Sequence, residues 1–223
     1  MLMDLHTHTR RHSWDSDLTP DELIDLSKQA GLDGICLTEH DFFWDPDEVR
    51  ELARRHDFLV LPGVEINTED GHMLCFGLKS YAYGMHRVPE LAEHVRHAGG
   101  AIVAAHPYRR QAPWKPEDPE DYRNALLKAA ANPAYAACWA MERLNGRGTD
   151  AENAFSAAVC DALGLPSTAG SDAHAATDIG RCAAEFLDHV NDLEGLIEAL
   201  RGGRCQAVDM RGARNQEQGT GNK

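Results

Sequence analysis

The stretch LHTHTR, residues 5–10, places two histidines one residue apart on an apolar flank that reads as a first strand. In a strand, residues i and i+2 point to the same side, so His6 and His8 present two imidazoles together. That geometry suits a metal ion, but an HxH pair alone is a weak signal. Further polar residues follow other apolar runs: GICLTE leads to His40, LVLPGV to Glu65, AIVAA to His106, and PSTAGS to Asp172 and His174, while His72 opens the run MLCFGL. A single histidine is commonly a core or surface residue satisfied by one hydrogen bond. Of the 12 histidines in the chain, however, six stand in or beside strand ends near carboxylates. Imidazole and carboxylate without thiolate suit Zn, Mn or Fe, and the set is larger than one tetrahedral site uses.

Regular elements must carry these residues. LTPDELIDLSKQAG predicts a helix with Thr19 as N-cap, Pro20 at its first position, Glu22 closing a capping box and Gly31 as the stop. DPDEVRELARRH repeats the cap, proline, acid pattern. GICLT, FLVLPGVEI, MLCFGL, AIVAA, ACWAM, PSTAG, EFL and CQAV read as strands, separated by helices near 89–98, 121–131, from Thr149, and 192–200. Short, apolar, unalternating strands followed by helices predict a parallel sheet covered on its outer side. His72 stands at the start of its strand, which implies either a reversed strand or a turn folding back. A closed parallel barrel would gather the C-terminal ends of its strands, and these residues with them, on one face. A barrel is therefore the expected architecture.

The bulk numbers bound the rest. At 223 residues, with 43% hydrophobic and 26% charged, the chain has the size and composition of one globular domain, expected over 1–210. Residues 211–223, RGARNQEQGTGNK, have no apolar run and are expected to be a disordered tail. A net charge of −14 argues against a surface for long nucleic acids, which draws on lysine and arginine. Six cysteines are scattered without a CxxC pair, and no signal peptide or membrane span is evident, so a cytoplasmic location without membrane association is expected.

Taken in order, LHTH, TEHD, PGVEI, AHP and GSDAH resemble the motifs of the PHP (polymerase and histidinol phosphatase) family, over Asp4 to about Val208. The resemblance implies a distorted (β/α)7 TIM-like barrel with two or three divalent ions at the strand C-terminal ends. It implies that His6, His8, Glu65 and Asp172 hold one ion, that Glu65, His72 and His106 hold a second with Glu65 bridging, and that Asp15, His40 and His174 hold the third. Asp15 is selected by its place three residues before the leucine of LTP; Asp17 competes, and either could be a loop acid capping a turn. The segment MERLNGRGTDAENAFSAAV also resembles small stand-alone members.

On this reading the protein is a metal-dependent phosphoesterase. Metal-bound hydroxide would be the nucleophile, and His174 or Asp41 would be the proton donor to the leaving oxygen. Arg109 and Arg110, just after AHP, and Arg147 are candidate phosphate contacts through their forked donors. The expected substrate is a small phosphorylated metabolite, a nucleotide or a short oligonucleotide. Two alternatives stand beside it. One is an amidohydrolase-type C–N hydrolase, although such enzymes commonly add a bridging lysine; the other is a noncatalytic metal-binding scaffold, although no ligand of the set has been lost.

Overall fold

The structure, a computed structural model, describes residues 1–109, 114–115 and 117–211. Arg110 and residues 212–223 of the expected tail lie outside the described residues. The first helix, α1 (Pro20–Gln29), begins as its sequence predicts. Thr19 accepts from the Glu22 N–H, and the Glu22 carboxylate reaches back to the Thr19 backbone. Helix α2 (Pro46–His56) is capped by Asp45. The remaining helices are α3 (Val88–His97), α4 (Pro119–Ala130), α5 (Asp150–Leu163) and α6 (Leu193–Arg201).

The strands form two mixed five-stranded sheets. The first contains β1 (Leu2–Thr7), β2 (Gly34–Leu37), β3 (Leu59–Pro62), β9 (Cys182–Phe186) and β10 (Cys205–Asp209), in the order β10-β9-β1-β2-β3. The second contains β4 (Val64–Thr68), β5 (Gly71–Phe76), β6 (Ala101–Ala104), β7 (Ala140–Asn145) and β8 (Ser167–Gly170), in chain order. The expected (β/α)7 barrel is therefore not formed: neither sheet closes. Parallel pairing holds for β1-β2-β3 and β6-β7-β8, whereas β5 runs antiparallel to both neighbours and β9 is antiparallel to β1 and β10. The reversed β5 accounts for His72 standing at a strand start.

Single bridges, Thr7 to Ala173 and His40 to Glu65, link the two sheets. Asp41, His106 and Asp172, just past β2, β6 and β8, adopt positive φ of 50°, 25° and 54°, outside the extended region of a regular strand.

Two strand expectations also change. FLVLPGVEI is not one strand but breaks at Gly63, where the chain passes from the first sheet to the second. A Cβ at Gly63 would lie 2.9 Å from both the Phe76 ring and the Thr38 methyl. In place of ACWAM, a short 3-10 helix (Pro133–Ala137) precedes β7, which starts at Ala140 and runs on to Asn145.

Alternation along β1 connects packing to chemistry. Met3 and Leu5 join an apolar cluster with Leu74, Phe76, Val103 and the α6 side chains Leu196 and Leu200. Asp4 and His6, on the other side of the strand, meet Ser171 and Glu142. Truncating the fully buried Leu5 to alanine would cost about 2–5 kcal/mol and loosen the strand that carries His6 and His8. Among the described residues, no helix is long and apolar enough to cross a membrane.

Candidate metal centre

Glu65, fully buried on β4, is surrounded by imidazoles. Its Oε1 lies 2.7 Å from His72 Nδ1 and 2.9 Å from His106 Nε2. Its Oε2 lies 2.9 Å from His40 Nδ1, 3.2 Å from His6 Nε2 and 3.3 Å from His8 Nε2. Asp172 Oδ1 closes the other side, 3.5 Å from His6 Nε2, 3.4 Å from His8 Nε2 and 3.5 Å from His174 Nδ1. Asp15 Oδ2 stands 3.2 Å from His174 Nε2 and 3.6 Å from His40 Nε2. All nine residues singled out in the sequence thus meet at one place. Asp17 does not share in this: it is exposed, and its backbone N–H donates to the His174 carbonyl at 2.8 Å.

His6 Nε2, His8 Nε2, His174 Nε2, Glu65 Oε2 and Asp172 Oδ1 are all buried, and none makes a hydrogen bond. Buried polar atoms left in this state are costly. Divalent cations fit what these atoms offer: ring nitrogens and carboxylate oxygens facing each other at separations that a shared ion could span. Four overlapping trios could each hold an ion: His8, His40 and His174; His6, His8 and Asp172; His6, Glu65 and His106; His40, Glu65 and His72.

Neighbouring groups set the tautomers. His6 Nδ1 is 2.7 Å from Glu142, His8 Nδ1 is 3.2 Å from Ser13 Oγ, and His174 Nδ1 is 2.8 Å from the Asp172 carbonyl. A proton held on each Nδ1 leaves each Nε2 lone pair for the centre. Ser13 in turn donates to Glu39 at 2.5 Å, and buried Glu39 also accepts from the Thr9 N–H, Thr9 Oγ1 and Trp44 Nε1.

Burial opposes charge throughout the site, and the outcome differs by residue. Burial would push the Glu65 carboxyl up, but His6, the hydrogen-bonded His106 and the nearby His40 hold it well below the usual range. Burial likewise opposes ionisation of Asp172, and His6, His8, His106 and Arg109 overcome it. Against the same penalty, Glu142, Asp172 and Glu65 raise His6 well above its ordinary value, and Asp172 and Glu65 raise His8. Burial prevails at His106 and, aided by His8, at His174; both are lowered. Cation binding here would compete with protons for these ring nitrogens, because an imidazole binds a metal only through an unprotonated nitrogen.

Of the expected substrate contacts, Arg109 donates to Asp172 Oδ2 at 2.5 Å and lies over the Tyr108 ring. Arg147 is exposed, and its backbone N–H bonds Asn145 Oδ1 at 3.1 Å. Arg110 lies outside the described residues. Asp41 is exposed and accepts from the Asn67 N–H at 3.1 Å. The reading of the sequence passed over Glu142 and Glu39, both buried among these residues. Each is an acid following an apolar run, the signal that marked Glu65.

A profile for the PHP domain matches residues 4–155, and one described as PHP-associated matches residues 150–205. An uncharacterized protein, MJ1587, of Methanocaldococcus jannaschii is 26% identical over 117 residues, covering 48% of this chain and 68% of that one. Among solved structures, a proposed metal-dependent phosphoesterase from Bifidobacterium adolescentis ATCC 15703 superposes with a TM-score of 0.57 at 19% identity, over 94% of this chain and 98% of its own. An amidohydrolase from Chromobacterium violaceum, solved with sulfate and no metal, gives 0.60 at 18% identity, over 96% and 99%. PsfC from Pseudomonas syringae PB-5123 gives 0.59 at 18%, over 97% and 98%. At these identities the structures share the fold with this chain.

Proposed function

The chain belongs to the PHP domain family, and from that premise we propose that it is a metal-dependent phosphoesterase, holding two or three Zn, Mn or Fe ions and acting on small phosphate esters. The observation that carries the proposal is the set of buried, unsatisfied ring nitrogens and carboxylate oxygens of His6, His8, Glu65, Asp172 and His174, aimed at one another. The ions, when bound, supply an activated water and neutralise charge developing on phosphoryl oxygens.

The chain's own residues do the rest. Glu65, with imidazoles at both oxygens, would help hold the ions, and Asp172 fixes Arg109 through one guanidinium arm. The Arg109 side chain is 32% exposed, and its remaining N–H donors orient the phosphoryl group. His174 is held below its ordinary value, so at neutral pH its single proton sits on Nδ1 toward the Asp172 carbonyl. That state suits a ligand and leaves Asp41 as the chain's candidate donor to the leaving oxygen.

The net charge of −14 favours a small substrate over a long duplex, because duplex binding relies on many cationic contacts. The test is kcat/KM for a phosphomonoester, a dinucleotide and a long duplex from low to physiological salt, with an amide substrate alongside. Preference for the small esters with a shallow salt slope is expected. Fastest cleavage of the duplex would overturn the substrate class, and turnover of the amide alone would favour C–N hydrolysis, the activity named for the Chromobacterium violaceum relative.

A further inference from the structure

Glu142 lies on β7 of the second sheet, yet its Oε1 is 2.7 Å from Nδ1 of His6 on β1 of the first. Its Oε2 accepts the backbone N–H of His106 at 2.7 Å and the side-chain amide of Asn145 at 3.2 Å. Both oxygens are thus engaged, and Glu142 is in none of the trios able to hold an ion. We propose that Glu142 is the positioning residue of the centre, fixing the His6 ring and the His106 backbone together so that both imidazoles meet Glu65. The inference rests on the metal-centre reading and adds to it a residue that holds no ion.

Three observations make this clamp more than a packing contact. Single bridges at Thr7 and His40 join the two sheets, so no continuous ladder sets the distance from His6 to His106. The Glu142 side chain adds a direct link from the His6 ring to the His106 backbone. Second, His106 has φ of 25°, a strained conformation for a non-glycine residue that persists only where its surroundings hold it. The hydrogen bond from its own N–H to Glu142 is such a restraint, and the turn it holds directs the His106 ring to Glu65 at 2.9 Å. Third, His6 and Glu142 approach each other over Gly170, where a Cβ would lie 2.3 Å from His6 Cβ and 3.0 Å from Glu142 Oε1. The glycine gives up its side chain where ring and carboxylate converge.

The chemistry of the amide separates this role from that of a ligand or a mere core acid. In Glu142→Gln the size is kept but one acceptor becomes a donor, so the side chain can serve His6 Nδ1–H or His106 N–H, not both. An amide nitrogen turned toward His6 would favour the opposite tautomer, with the proton on Nε2, the atom aimed at the centre.

The experiment titrates chelator-treated wild type and Glu142→Gln with Zn2+ alone by calorimetry, with circular dichroism as the check on folding. The expected result is a folded variant with the wild-type number of ions bound about 10–100-fold more weakly. Binding indistinguishable from wild type overturns the inference alone, and outright loss of one ion with the rest unaffected overturns it by making Glu142 a ligand. A wild-type chain that binds no Zn2+ overturns the metal-centre reading itself. Should Glu142→Gln fail to fold, 15N-histidine spectra of the Zn2+-loaded wild type decide. A proton on His6 Nδ1 with the ion on Nε2 supports the clamp, and an ion on Nδ1 refutes it.

Discussion

Two clusters in this protein use the same residue types at the same distances. On the surface between α1 and α2, His56 sits 2.7 Å from Asp21 and 2.9 Å from Asp25, with Arg55 also paired to Asp21. In the centre, imidazoles lie 2.7–2.9 Å from Glu65. The Asp21 and Asp25 side chains are 53% and 59% exposed, so water serves whatever His56 does not. Glu65 and Asp172 are fully buried, and one oxygen of each, Glu65 Oε2 and Asp172 Oδ1, lacks a hydrogen bond. Histidine–carboxylate proximity therefore does not mark a site by itself. Burial that leaves lone pairs without partners does.

The largest effect that would sharpen this contrast is expected from Glu65→Gln. Losing the central buried carboxylate should lower phosphoesterase kcat/KM by at least about 10²–10³-fold, the scale of removing one principal electrostatic group from an active site. A variant retaining most of its activity would remove Glu65 from its central place. Next comes Gly170→Ala, which forces a methyl against His6. Overpacking of this kind costs about 1–3 kcal/mol, and each kcal/mol lowers Tm by about 2–4 °C in a chain of this size. Differential scanning calorimetry should show that loss together with weaker metal binding; unchanged values for both would mean the strands yield without strain.

A subtler separation lies in pH. His6 and His8 are raised in the folded chain, so the stability they contribute is fully present below the ordinary imidazole value of 6.5 and is lost as pH rises through their folded values. Glu65 and Asp172 are depressed, so their contribution is present above the ordinary carboxylate range and is lost as pH falls through their folded values. Chelator-treated protein should thus lose Tm as pH rises above 6.5, and added Zn2+ or Mn2+ should restore it. A flat chelated profile over that range would contradict the account. The smallest effect belongs to the surface cluster: His56→Ala should cost no more than about 1 kcal/mol in denaturant unfolding and leave metal content unchanged.

The legibility of the sequence follows the same division between local and distant causes. His6, His8, His40, Glu65, His106, Asp172 and His174 could be found because each follows an apolar run, and a strand end is a local feature. Glu142 carries the same local signal but lies inside β7, which runs on to Asn145, and was passed over where only strand ends were read. Closure was misjudged because strand–helix alternation records order along the chain, not direction in space. The reversed β5 was visible in His72, whereas the antiparallel β9 and β10 left no comparable polar marker. The positive φ of His106 and Asp172 falls on non-glycine residues, where no local sequence pattern announces it.

The most direct test of the central claim is a count of ions. Chelator-treated protein, reloaded separately with Mn2+ and Zn2+, desalted and analysed by native mass spectrometry, should carry two or three ions per chain, with Glu65→Gln losing more than one. One ion or none on the wild type under both loadings would contradict the account, leaving the buried nitrogens and oxygens to be satisfied by protons alone.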